Sequence, residues 1–361
     1  MSEATPVVDA LRALVDAGES ADDAAVCAAV RAALDGEAAG EANESEASTG
    51  ATPLMLAAQL GSSEAVQLLL QQGAVWNAQD RQGNTAGEYA LEAGAGDVYE
   101  AVLEAGVRTE LLLAAMQRET TSKRLAKEAP ASNADYLQQK LAYSEGRLVD
   151  SEANGVMMGW EEPLMVEHAR VLAGTYDESI DASTRSVLNI GFGLGLIDSE
   201  IQKLGVGKHT IIEAHPDVLA HMRATGWYEK PNVRILEGRW QDVMDQLETY
   251  DGIFFDTFGE YYDDMTVLHE ELPRLVKPGG VYSFFNGLCA TNATFHAVYC
   301  RIAAQDLAAL GFAVQYVPVP IDANDARIWD GIKRRYWSLD FYLLPICIMQ
   351  AVEQEAVVVE A

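Results

Sequence analysis

Basic side chains are scarce: 25 Lys and Arg stand against 55 Asp and Glu, a formal net charge of −30. A chain this acidic repels phosphate backbones and anionic lipid surfaces, which argues against direct binding to nucleic acid or a membrane and favours a basic protein as partner. Cysteine is sparse too. Cys27, Cys289, Cys300 and Cys347 lie far apart, with no C-x-x-C and no neighbouring His pair. That spacing argues against a disulfide framework and a zinc site, and predicts reduced thiols. Apolar runs are short: the longest, FYLLPICIM, contains Pro345, and a membrane-spanning helix needs about 20 apolar residues. The opening MSEATPVVDALRALVDAGES has neither the basic nor the apolar stretch of a secretory leader. These features fit an intracellular protein, and the location expected is cytoplasmic and nuclear.

What is present is ample apolar material, 49% of 361 residues, enough for two domains. Thr52 and Thr85 are 33 residues apart and open similar segments, TPLMLAAQLGSSEAVQLLLQQGA and TAGEYALEAGAGDVYEAVLEAGV. This is the ankyrin period, with a Thr cap, a helix, a Gly turn and a second helix. Leu54, Leu56, Ala57 and Ala58 supply the packing positions. The second copy has Ala86-Gly87 in place of Pro-Leu and reads as degenerate or capping, and residues 5–19 are a candidate third copy. Residues 1–120 form the repeat-like domain, and it carries 20 acids and 5 bases. Its acidic, small-residue stretch at about 36–50 reads as a disordered insertion. Residues 121–135 read as a linker, and 136–361 as a second domain.

In that second domain the runs SVLNI, HTIIEA, VRILEG, GIFFDTF and GGVYSFFN alternate with helical segments, predicting a parallel α/β sheet. Two last runs, AVQYVPVP and YWSLDFYLLPI, predict an antiparallel hairpin at its edge. The fold class expected is thus an α/β, class I methyltransferase type of Rossmann-like sheet behind an all-α ankyrin domain.

SVLNIGFGLGL is an apolar strand that breaks into Gly191, Gly193 and Gly195, and 18 residues further the next strand ends in Glu213. A glycine loop followed by a carboxylate at that distance predicts an adenosine-containing cofactor. The third glycine of a dinucleotide fingerprint is absent, its place taken by Leu196. The G-x-G-x-G that remains fits a neutral or cationic ligand such as S-adenosylmethionine better than a pyrophosphate. Ligands gather at the carboxyl ends of such strands. There the glycines face the methionine moiety, Glu213 the ribose, Trp240 and Gln241 the adenine, and Asp256 and Thr257 the reacting methyl. Core packing is an equally open reading for Trp240. Trp160, Glu161, Pro163 and Met165 fit no simple period; they read either as a lid or substrate arm, or as the start of a surface helix.

VMMGWEEPLM, VLNIGFGLG, IIEAHPDVL, GRWQDV, YDGIFFDTF and LVKPGGVYSFFN, in that order, resemble guanidinoacetate N-methyltransferase. Joined to an ankyrin segment, they resemble the fungal-type family of δ-nitrogen protein arginine methyltransferases. The resemblance implies that Glu161 and Asp256 grip a planar guanidinium and are the catalytic pair, that Glu213 binds ribose, that Met165 lines the cofactor pocket, and that Asn286 faces substrate. It also implies methylation of arginine in a basic protein such as a ribosomal protein, with the ankyrin module as a docking surface. Two departures stand out: Gly195 replaces an alanine, and FGEYYDDM follows Asp256-Thr257. Glu260, Tyr261 and Tyr262, with Trp160, are accordingly candidate contacts to a peptide. A small-molecule guanidino methyltransferase and a non-catalytic ankyrin scaffold are the alternative readings.

Overall fold

The computed structural model describes residues 5–18, 22–35, 41–121, 133–144, 146–177, 179–323 and 325–351, with side chains in the third stretch described up to 116. The contacts divide the chain into two units: Met1–Glu128 with Leu288–Ile302, and Ala129–Gly287 with Ala303–Ala361. Among the described residues no helix is long and apolar enough to cross a membrane.

The first unit contains three helix pairs: α1 (Pro6–Ala17) with α2 (Asp23–Asp35), α3 (Pro53–Gln59) with α4 (Ser63–Gln71), and α5 (Ala86–Glu92) with α6 (Gly96–Thr121). First helices stack on first helices and second on second. The capping threonines do what the repeat pattern predicts. Thr52 accepts from the Met55 N–H at 3.4 Å, and Thr85 from the Gly87 N–H at 3.2 Å while Glu88 Oε2 accepts the Thr85 N–H at 2.8 Å. Ala57 and Ala58 are fully buried among Leu54, Leu56 and Leu69, the small side chains that let neighbouring helices approach. Residues 5–19 were expected as a third copy, and α1 forms there.

Gly87, which broke the repeat pattern, has a specific reason. A Cβ at this position would lie 2.1 Å from Thr294 Oγ1, and Thr294 donates its N–H (2.9 Å) and hydroxyl (2.7 Å) to Glu88 Oε1. The acidic stretch is a correction. Residues 41–50, expected to be disordered, form an ordered loop in which Glu44 Oε1 accepts the Val8 N–H at 2.7 Å and Glu46 takes Arg12 through bonds of 3.1 and 2.8 Å. Asn43 bonds the Gly73 carbonyl and the Val75 N–H at 2.9 and 2.8 Å. These partners lie 30 to 36 residues away, out of reach of a composition argument. Residues 36–40 of the expected insertion, and 122–132 of the expected linker, lie outside the described residues.

The second unit opens with a small antiparallel sheet of β1 (Ala142–Ser144), β2 (Arg147–Val149) and β3 (Gly155–Met158), followed by α7 (Glu162–Ala173). Then come β4 (Ser186–Ile190), α8 (Leu196–Leu204), β5 (Lys208–Glu213), α9 (Pro216–Ala224), β6 (Val233–Glu237), α10 (Trp240–Val243), β7 (Tyr250–Phe255), α11 (Tyr262–Leu275) and β8 (Val276–Phe284). After α12 (Ala293–Ala309), the strands β9 (Phe312–Pro320) and β10 (Phe341–Met349) complete a sheet in the order β6-β5-β4-β7-β8-β10-β9.

Strands β4 to β8 are parallel, and β10 runs antiparallel to both β8 and β9. All five residues of β4 are buried, as a parallel strand covered on both faces requires. From β4 the chain proceeds outward first through β5 and β6, then through β7 and β8. The crevice of such a sheet opens where that order reverses, at the carboxyl ends of β4 and β7. The edge hairpin forms as predicted, except that its second strand begins at Phe341. Tyr336 and Trp337 stay outside the strand, where they join the functional site.

Candidate active site

Each of the three glycines after β4 serves a different steric need. At Gly191 (φ +99°) a Cβ would lie 1.9 Å from the Asp256 backbone carbonyl, and at Gly193 (φ +56°) 2.9 Å from the Met157 side chain. Gly195 (φ +71°) begins α8, and a Cβ there would meet the Phe192 ring at 2.4 Å. Gly191 and Gly193 line the pocket, whereas Gly195 serves the helix entry and the Phe192 packing. Beneath the loop Asn189 Nδ2 donates to the Gly191 carbonyl at 2.8 Å and to both oxygens of the buried Asp198 at 2.9 Å.

Glu213, at the tip of β5, lines the same pocket. Its Oε2 accepts the Phe192 N–H at 2.9 Å, and Oε1 accepts those of Ala214 and His215 at 2.8 and 2.6 Å. Burial raises its pKa while these N–H groups pull it down. The carboxylate therefore clasps the glycine loop as well as facing the space where a ribose is expected.

The opposite wall is organised by Glu260. It accepts from Trp240 Nε1 at 3.0 Å, Gln241 Nε2 at 2.8 Å, Thr257 Oγ1 at 2.6 Å and Asn133 Nδ2 at 3.4 Å. Glu260 was expected at a peptide; here it ties α10 to the loop after β7. Trp240 is buried edge-on against Phe255 and also lines the pocket. Gln241 does not line it, although its Oε1 is enclosed without a hydrogen-bond partner.

Asp256 and Glu161 are brought together. Asp256 lines the pocket, and its Oδ2 is enclosed with no hydrogen-bond partner. Burial, with the charge of Asp198 next, raises it to about 7. Glu161 is buried in the turn between β3 and α7. Its Oε1 accepts the Met158 N–H at 3.3 Å and the Tyr336 hydroxyl. Burial and then the nearby Asp256 push Glu161 up to about 8. Glu162 and Pro163 start a helix, as one reading of this segment expected, and Glu161 just before it is buried. Trp160 is half-buried in a cluster with Trp329, Tyr336 and Trp337, at ring distances of 6.1, 6.0 and 5.8 Å.

Besides Gly195 and Gln241, three more expected site residues stand elsewhere. Met165 is fully buried in the core with Ala169, Leu172, Ile197 and Phe254; Met157 on β3 takes the methionine's place in the pocket wall. Asn286 is buried with its Nδ2 donating to the Leu343 carbonyl at 2.9 Å. Tyr262 donates its hydroxyl to Asp306 at 2.6 Å and does not line the pocket.

Residues with no local signal complete the site. Asn133, Tyr136 and Leu137 line the pocket, and the Tyr136 ring packs on His215 and Phe258 at 4.9 and 4.8 Å. Tyr143 donates to the Gly193 carbonyl at 3.2 Å. Tyr336 arrives from the segment before β10. The aromatic density of RIWDGIKRRYWSLD was the one available hint of that wall.

The pocket suits an adenosine-bearing cation. Leu137, Val156, Ile190, Ile212 and Ala214 provide apolar surface, and Glu213, Asp256 and Glu260 provide acid. The single base in the lining, Arg239, is paired with Asp242 at 2.9 and 2.8 Å. A pyrophosphate would find no uncommitted cation among these lining residues, whereas a sulfonium would find carboxylates.

The raised pair also predicts how stability depends on pH. Glu161 and Asp256 hold protons in the folded chain that ordinary carboxyls release near pH 4, so their contribution is full below that range and is lost as pH rises through about 7 to 8. The ligand-free protein should lose on the order of 1–3 kcal/mol per group between pH 6 and 9. Chemical denaturation of Glu161→Gln/Asp256→Asn at both pH values checks this: an undiminished loss in the double variant contradicts it.

Both parts of the chain match known proteins. The family model for guanidinoacetate N-methyltransferase matches residues 132–305, and that for ankyrin repeats, in three copies, matches 20–112. A protein of Cryptococcus neoformans var. neoformans serotype D named protein arginine N-methyltransferase 2 is 38% identical over 326 residues, 83% of this chain and 86% of that one. Proteins of the same name from Eremothecium gossypii and Saccharomyces cerevisiae are 38% and 35% identical, covering 78% of this chain in each case and 78% and 76% of their own.

Proposed function

The chain belongs to the protein arginine N-methyltransferase 2 family, and on that premise we propose that it methylates a guanidino nitrogen, the internal δ-nitrogen, of an arginine in a basic protein, with S-adenosylmethionine as donor. The observation that carries this is the pairing of two carboxylates, the half-buried Asp256 at the tip of β7 and the buried Glu161 before α7, beside the glycine loop. Asp256 Oδ2 is enclosed without a hydrogen-bond partner, and both side-chain hydrogen bonds of Glu161 fall on Oε1. A guanidinium is planar, cationic and rich in donors, so two such carboxylates can hold its edges and fix its plane.

When bound, S-adenosylmethionine supplies an electrophilic methyl group on a sulfonium. Gly191 and Gly193 would make room for it, and Glu213 would accept from its ribose. Asp256 accepts a hydrogen bond from the nitrogen to be methylated, aligning its lone pair with the methyl carbon. Asp256 would also take the proton that this nitrogen gives up on methylation. Glu161 holds the opposite edge. The positive charge of the guanidinium favours ionised carboxyls, so substrate binding releases protons from both.

The acidity of the chain and its ankyrin repeats support a basic protein, such as a ribosomal protein, as substrate. The family-model match keeps guanidinoacetate as the second candidate. The test is to incubate the recombinant protein with labelled S-adenosylmethionine and either a cell lysate or guanidinoacetate, then locate the methyl group by fragmentation mass spectrometry. Label on an arginine δ-nitrogen in a protein supports the proposal; label on guanidinoacetate alone overturns it.

A further inference from the structure

We propose that Tyr336 is a positioning residue for the acceptor half of this site: its hydroxyl, held by the indole of Trp160, keeps Glu161 oriented and eases its ionisation as the guanidinium arrives. The inference rests on the substrate reading above. Trp160 Nε1–H donates to the Tyr336 oxygen at 3.3 Å, and the Tyr336 hydroxyl donates to Glu161 Oε1. A phenol has one proton. With the indole N–H occupying a lone pair, that proton is committed to the carboxylate, and a hydrogen bond donated to the charged form favours it. The Met158 N–H also goes to Oε1, so Oε2 remains for a donor brought by substrate.

The ring is held in place for this task. Trp329 packs edge-on against it at 4.9 Å and 88°. Gly155 keeps its seat open, since a Cβ there would approach Tyr336 Cε1 to 3.2 Å. The titratable groups that face Glu161 are Tyr336 and, from the end of β7, Asp256. Arg335 is turned to the Trp337 carbonyl and over the Trp329 ring at 5.5 Å. Two carboxyls packed together resist ionising together, so the phenol offsets what Asp256 opposes.

Tyr336→Phe keeps the ring and removes the proton. In the full-length protein, the KM for the arginine substrate near neutral pH should rise about tenfold with cofactor Kd unchanged, and the acid limb of kcat/KM should move up by about one pH unit, so that variant and parent converge in alkali. Trp160→Phe should shift the limb in the same direction by less. Independently of turnover, the carboxyl-13C resonance of Glu161, identified by its loss in Glu161→Gln, should titrate at higher pH in Tyr336→Phe. An unmoved titration and profile overturn the proposal, as does a fall in kcat with an unshifted profile. If Tyr336→Phe does not fold, Trp160→Phe decides by the same readouts. If the parent methylates no arginine, the substrate reading falls, and the carbon titration still decides the role of the tyrosine.

Discussion

Asp256→Asn should lower kcat for arginine methylation by about 10²–10⁴-fold, the range for removing a proton acceptor from a transition state. Asparagine keeps the shape at the tip of β7 but takes no proton, and its NH₂ group presents donors to a guanidinium that is itself all donors. The backbone there is fixed independently: the Asp256 N–H donates to the Ile190 carbonyl at 2.9 Å, and the substitution leaves that bond intact. Cofactor affinity should therefore stay within about tenfold of the parent. Single-turnover kinetics and calorimetric titration with S-adenosylmethionine separate the two quantities. Loss of cofactor binding with turnover retained would contradict the role assigned to this carboxylate.

Gly191→Ala should be the most damaging single methyl in the molecule. The added carbon would stand 1.9 Å from the Asp256 carbonyl oxygen, on a residue with φ +99°. Both partners are backbone, so no side-chain rotation relieves the clash; β4 and β7 must separate where the pocket opens. Backbone strain and overpacking each cost about 1–3 kcal/mol, and their sum should lower stability by about 3 kcal/mol or more and abolish measurable cofactor binding. Gly205→Ala is the control, because Gly205 has φ +75° but nothing within 4 Å of the added carbon. It should cost only the strain, about 1 kcal/mol. Equal losses of denaturation midpoint in the two variants would show that the contact with Asp256 is not what makes Gly191 a glycine.

The two halves of the site differ in how far local sequence reveals them. The glycine loop, Glu213 and Asp256 were legible because a parallel sheet places the residue after each strand at one rim, whatever the rest of the chain does. Side chains that act through distant partners were not. Glu260 reads as a loop acid after β7, and only its bonds to Trp240 and Asn133, 20 and 127 residues away, make it the tie of a pocket wall. Met165 was placed by its position in a motif, but helical geometry turns it into the core, and the methionine at the glycines comes from β3. Glu44 and Glu46 looked like solvated charge until Val8 and Arg12 supplied their partners.

The sequence alone determined the repeat period, the parallel strands of the sheet and the carboxylates at their tips, because each follows from local periodicity and from the place where a strand ends. Tertiary structure alone decided why Gly87 breaks the ankyrin pattern, why Tyr336 and Trp337 leave the last hairpin, and which acids keep an oxygen unspent. These depend on which side chains meet across tens or hundreds of residues, and such meetings are settled by packing.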